Sequence, residues 1–200
     1  MVANVKNKIG VMQGRLLPKY QGRYQAHPLG YWTDEFKVAK EIGLDCIEFI
    51  LDFNDADQNP LLTKMGIYEI LEISKKTGVL VKTICADYFM EAPLHSSNKL
   101  ISNKSLDILN LLIKNAVILN VNDIVIPCVD NSSLSNKNLI DRFINIIEKL
   151  IPVIETSNVN LSLETDLSPS LFSALLTKIN SKKITVNYDI GNSAALGFDP

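Results

Sequence analysis

The sequence predicts an α/β chain on a mainly parallel sheet, and three observations carry that expectation. Short β-rich runs alternate with longer runs of helical period along the whole chain. The β-rich runs are apolar along most of their length, as expected of strands buried on both faces. The segments between them are long enough for crossover helices, which parallel neighbours require.

The first strand is expected at residues 8–13, and a helix follows at about 33–42. Thr33 before Asp34 and Glu35 reads as an N-cap with acids in the first turn, and Gly43 falls where a left-handed C-terminal cap needs glycine. The second strand is expected at 45–50 and its helix at 64–77, closed by Gly78. A third strand at 79–85 precedes a helix at 98–119, and a fourth, Asp123–Cys128, precedes a helix at 137–157. In that last helix Leu139, Phe143, Ile146, Ile147, Leu150, Val153 and Ile154 form one apolar face, and Pro152 predicts a kink or a break near residue 151. The fifth strand is expected at 160–164. Ser168 and Pro169 then read as cap and first helical residue of a helix at 168–180, before a sixth strand at 184–189.

This alternation fits either a doubly wound sheet or a (β/α)8 barrel. The nine glycines contain no GxG pair, which removes the strongest sign of a dinucleotide-binding doubly wound sheet. In a barrel the active site gathers where strands end and βα loops begin.

Composition excludes several functions. The 200 residues carry 20 Lys+Arg against 22 Asp+Glu, with no block of like charge, so no basic patch for nucleic acid is visible. Residues 1–8 contain no apolar signal core and no stretch is long enough to span a membrane, so a cytoplasmic protein is expected. Cys46, Cys85 and Cys128 are odd in number and form no CxxC pair; they read as reduced core thiols. Length is the awkward observation. A barrel of about 250 residues has eight units, whereas this chain holds six.

Polar residues collect at the strand ends. Gln13, Gly14 and Arg15 follow the first strand, Glu48 lies in the second, and Asp87 follows the third. Asp130 follows the fourth, Glu164 ends the fifth, and Asp189 ends the sixth. Single acids there also cap following loops; Glu164 and Asp189 together suit a hard divalent cation. The loop after the first strand carries Arg15, Arg23 and His27; arginine forks suit phosphate or carboxylate, and the alternative is a solvated loop. His95, after the third strand, is a candidate substrate contact, although a lone loop histidine is more often simply at the surface. Tyr31 and Trp32 read as a staple holding the first helix to the barrel, with a sugar-stacking platform as the alternative. Lys82 falls mid-strand, which argues against a Schiff-base aldolase.

With these residues in view the chain resembles the xylose isomerase-like TIM-barrel superfamily, in its sugar-phosphate isomerase/epimerase branch. The likeness lies in residues 9–16 (IGVMQGRL), 43–49 (GLDCIEF), 84–90 (ICADYFM), 162–165 (SLET) and 187–192 (NYDIGN). The resemblance implies a divalent metal held by Glu, Asp, His and Glu from the fifth to eighth strands. Glu164 matches the first ligand and Asp189 the second. Mn²⁺ is the favoured ion, with Mg²⁺, Co²⁺ and Zn²⁺ as the other candidates. It also implies that Glu164 is the acid/base moving a proton beside a carbonyl, that Glu48, Asp87 and His95 orient substrate hydroxyls, and that Arg15 holds a phosphate or carboxylate end.

The expectation is therefore one (β/α)8 domain over residues 1–200 with about six units present, C-terminally incomplete and inactive by itself. In complete form it is a metal-dependent sugar or sugar-phosphate isomerase/epimerase. The other readings are a keto-sugar or polyol dehydratase of the same superfamily and an inactive barrel with a binding role only. The open sheet edges would favour a homo-oligomer.

Overall fold

The computed structural model describes residues 7–198. Residues 1–6, most of the stretch read as lacking a signal core, lie outside the described residues, as do 199 and 200. Six strands run β1 (Gly10–Met12), β2 (Cys46–Ile50), β3 (Leu80–Cys85), β4 (Asp123–Cys128), β5 (Asn160–Thr165) and β6 (Ile184–Val186). They pair in parallel in strict chain order, β1-β2-β3-β4-β5-β6. That order decides between the two architectures. A doubly wound sheet reverses direction part-way, placing helices on both faces; here each helix leads to the next strand on the same side, giving six units of a TIM-barrel wall. Among the described residues β1 and β6 each pair on one side only.

The helices are α1 (Trp32–Glu41), α2 (Lys64–Thr77), the single turn α3 (Tyr88–Glu91), α4 (Lys99–Leu119), α5 (Lys137–Glu155), α6 (Pro169–Ile179) and the short α7 (Ile190–Ala195). Successive long helices pack side by side, α1 on α2, α2 on α4, α4 on α5 and α5 on α6. Their buried faces meet the outward faces of the strands in one continuous apolar core that includes Phe36, Ile47, Phe49, Leu109, Phe143 and Leu161. The inward faces of the strands form a second, small cluster, Ile50, Cys85 and Val125 with Met12 against them. This cluster makes an apolar floor at the C-terminal ends of the strands. All three cysteines are free thiols, Cys85 and Cys128 buried and Cys46 half-buried.

Three local expectations need correction. Thr33 does not cap α1: the helix begins one residue earlier at Trp32, with Tyr31 at the cap and no side-chain capping bond. Glu35, one of the expected first-turn acids, is turned inward instead of complementing the helix end in solvent. The sixth strand stops at Val186, because Asp189 leaves the sheet to cap α7, accepting a 2.7 Å bond from the Asn192 amide. Of the kink or break expected near residue 151, a break does not occur: α5 continues through Pro152, which has no N–H to offer the preceding turn. Just beyond the helix Thr156 turns its hydroxyl back, donating to the Val153 carbonyl at 3.0 Å and the Pro152 carbonyl at 3.3 Å. Caps at Gly78 and Ser168 form as expected.

Both histidines are buried, His27 at 4% and His95 at 4% exposure. His27 lies among the rings of Trp32 and Phe49, and His95 edge-on to Phe143. Burial holds each imidazole at a pKa of about 4. The unfolded chain then takes up protons that the folded chain refuses. Each histidine therefore contributes stability that is complete above pH 6.5 and is lost as pH falls toward 4, about 3 kcal/mol per ring. In a ¹H–¹³C NMR titration the two ring signals should move with midpoints near pH 4; midpoints near 6.5 would contradict the burial.

Candidate functional site

A cavity of about 670 Å³ opens at the C-terminal ends of the strands, a size suited to a small ligand. It is reached from β1 and its loop by Arg15, Arg23 and Gln25, from β2 by Asp52, from β3 by Cys85 and Asp87, and from β4 by Asp130. Glu164 enters from β5, and Asp189 and Asn192 from beyond β6.

The first wall depends on a buried carboxylate. Glu35, fully buried on α1, accepts the Gly14 amide at 2.8 Å on one oxygen and the Leu16 amide at 3.1 Å on the other. The turn at residues 14–16 is thus fixed from below. Burial raises the Glu35 pKa, against the backbone amides that favour the anion. Gly14 is required here. Its φ is +86°, and a Cβ would stand 2.3 Å from the Tyr24 carbonyl oxygen. Beside it, buried Gln13 accepts from the Ile50 amide at 3.1 Å and contacts His27 Nδ1 at 3.2 Å, tying the end of β1 to β2.

Above this turn the loop folds over the cavity. Arg23 Nη2 stands 2.8 Å from the buried Asp52 carboxylate, an ion pair without the alignment of a hydrogen bond. Gln25 donates to Asp87 at 2.9 Å, and Asp87 also accepts the Cys85 thiol at 3.1 Å. Burial raises the Asp87 pKa, with the bonds from Cys85 and Gln25 opposing it.

On the far wall Glu164 is held at both oxygens, by Asn187 Nδ2 and by Asn192 Nδ2, each at 2.8 Å. Burial raises its pKa; the Asn187 bond lowers it, and the charges of Asp189, Asp87 and Glu48 raise it further. A carboxylate oriented by two amides but poised to take a proton is suited to acid/base work. Glu164 and Asp189 bring two carboxylates to the same cavity, a donor type that suits a hard divalent cation. Among the described residues no group of three or more His, Cys, Asp or Glu side chains forms a complete ligand set.

Four of the six expected site residues therefore line this cavity: Arg15, Asp87, Glu164 and Asp189. Two do not. His95 is not at the surface: it packs under α5, where its carbonyl accepts Arg142 Nε at 2.9 Å, and its ring faces Phe143. Glu48 sits half-buried at the register of Met12 and Thr83, on the inner side of β2 and two residues below Ile50, and burial raises its pKa. His27, carried by the loop after β1, neither contacts the cavity nor faces solvent but belongs to the core. Lys82 points away, bonding the Asn120 carbonyl at 2.8 Å. Asp52, Gln25 and Asn192 were missed as site residues. Asp52, two residues past β2, carried the strand-end signal; Gln25, deep in a long loop, carried none.

The model of the family "Xylose isomerase-like TIM barrel" matches residues 36–200. The Haemophilus influenzae protein SgbU, assigned as L-ribulose-5-phosphate 3-epimerase, is 26% identical over 197 residues; the match covers 95% of this chain and 65% of that protein's length. The chain thus spans just under two thirds of the curated relative. D-psicose 3-epimerase from Clostridium cellulolyticum H10, solved with D-tagatose, superposes with a TM-score of 0.73 at 15% identity, covering 94% of this chain and 65% of that one. The IOLI protein, solved with a binding zinc atom, gives 0.70 at 13% identity, covering 96% and 66%. At these identities the structural likeness establishes the fold.

Replacing Glu35 by Ala orphans the Gly14 and Leu16 amides in a buried place, at a cost of about 3 kcal/mol. Urea denaturation should show that loss; a change below about 1 kcal/mol would mean the turn is not held by this carboxylate.

Proposed function

The chain belongs to the xylose isomerase-like TIM barrel family, and on that premise we propose that its cavity serves a metal-dependent isomerase or epimerase of a small sugar or sugar phosphate. The observation that carries the reading is Glu164, a half-buried carboxylate with raised pKa, fixed at both oxygens beside Asp189. The similarity to SgbU and to D-psicose 3-epimerase supports the sugar branch.

Glu164 takes the proton from the carbon next to the substrate carbonyl, leaving an enediolate; delivery of that proton to the neighbouring carbon isomerises the sugar, whereas epimerisation requires a second acid that protonates the first carbon from its opposite face. Asn187 and Asn192 hold the carboxylate at the angle needed for that transfer. Asp87, anchored by Gln25 and Cys85, accepts from substrate hydroxyls, and Arg15 contacts the substrate at the opposite wall. A divalent ion, when bound, would be held by Glu164 and Asp189 and would supply positive charge to offset that of an enediolate. The apolar floor of Met12, Ile50, Cys85 and Val125 keeps bulk water from the underside of the site.

The test is solvent exchange. With Mn²⁺ and a ketose panel in D₂O, NMR should show deuterium entering beside the carbonyl. Chelation should abolish the exchange and Mn²⁺ restore it, while Glu164→Gln should slow it by roughly 10²- to 10⁴-fold. Release of water with an unsaturated or deoxy product would identify a dehydratase instead, and no exchange with any metal by a form carrying all eight barrel units would overturn the proposal.

A further inference from the structure

We infer that the outer face of α4, with the adjoining face of α2, is a two-fold interface between two copies of this chain. The inference does not rest on the chemistry at Glu164. The face lies on the outside of the wall, whereas the cavity opens at the ends of the strands.

Exposed apolar side chains are unevenly spread over the long helices. Among the described residues α1 has no large exposed hydrophobic side chain, and α5 and α6 have one each, Val153 and Leu171. On α4 there are five, with Leu100 at 81% exposure and Ile118 at 58% the most open. The neighbouring α2 adds three, among them Tyr68 at 60%. On its other side α4 already buries Leu109, Leu112, Ile113 and Ala116. A helix apolar on both sides belongs between two layers, and an apolar patch of this kind marks an interaction site.

The charges within the patch identify the partner. Leu100, Lys104, Asp107, Leu111, Lys114 and Ile118 are all exposed and recur in alternating steps of four and three, which keeps them on one straight stripe. Asp107 and Lys114 flank Leu111 almost symmetrically, and neither makes an ion pair among the described residues. Where two such helices cross antiparallel about a two-fold axis beside Leu111, Leu111 packs on its own copy. The two chains then exchange two Asp107–Lys114 pairs, so the stripe is complementary to itself. A 21-residue helix is about 31 Å long, and a neighbour lies about 10 Å to its side. The face therefore measures roughly 30 by 20 Å in outline, and its side-chain relief brings it to the order of the 800 Å² per partner that a stable dimer buries. Further wall units pairing at β1 or β6 would lie beside α1 or α6, leaving α4, between α2 and α5, uncovered.

Sedimentation velocity on the full chain tests this over about 1 to 100 μM. The chain should sediment with twice its own mass at the upper end. Leu111→Asp should leave it monomeric with unchanged far-UV circular dichroism; should that variant lose its helical signal, Ile118→Lys carries the same expectation. Asp107→Lys or Lys114→Asp alone sets like charges face to face and should weaken the dimer about 10- to 100-fold, and the double exchange should restore it. A monomer throughout the range would overturn the inference. So would a dimer indifferent to all these variants, which would place the contact at the open edges of β1 and β6, or a folded double exchange that does not re-form the dimer. A monomer that instead sediments with phosphatidylserine vesicles would make the face a membrane contact and overturn it as well.

Discussion

The bond pair from Glu35 to the amides of Gly14 and Leu16 is the constraint on which the site depends. It joins a helix on the outside of the wall to a turn at the mouth of the cavity. The loop after β1 then departs in a fixed direction, which brings Arg23 to Asp52 and Gln25 to Asp87. A carboxylate in a buried place is costly without partners. Here backbone amides are those partners, and the same bonds that satisfy the charge set the geometry of the cavity rim.

Much of the fold was legible because parallel strands buried on both faces leave plain apolar runs. Asp123–Cys128 forms the fourth strand as expected, and the others shift by a few residues at their ends. Glycine and serine caps were readable because the left-handed turn and the exposed amides impose chemical demands that few residues meet. Thr33 misled because the same local pattern of hydroxyl and acids fits a solvent-facing helix start. Nothing local indicates that Glu35 is needed at Gly14, 21 residues upstream.

The site was legible to the extent that it stands on strand ends. Arg15, Asp87, Glu164 and Asp189 follow directly from a strand's position, so pattern sufficed to bring them to one cavity. His95 departs from expectation because its loop dives under α5, and that path is set by packing on Phe143. Glu48 lies below the cavity because register places it beside Thr83, within β2 and not at its end. Gln25 could not be found, since its partner lies 62 residues away and the loop carries no period.

The chain-order sheet has a consequence for assembly. Among the described residues each strand pairs with the unit before it, so each of these pairings closes a loop of one βα unit. Long-range closure is what slows most β-rich chains. A wall built this way can grow by accretion as it leaves the ribosome, each free edge templating the next strand.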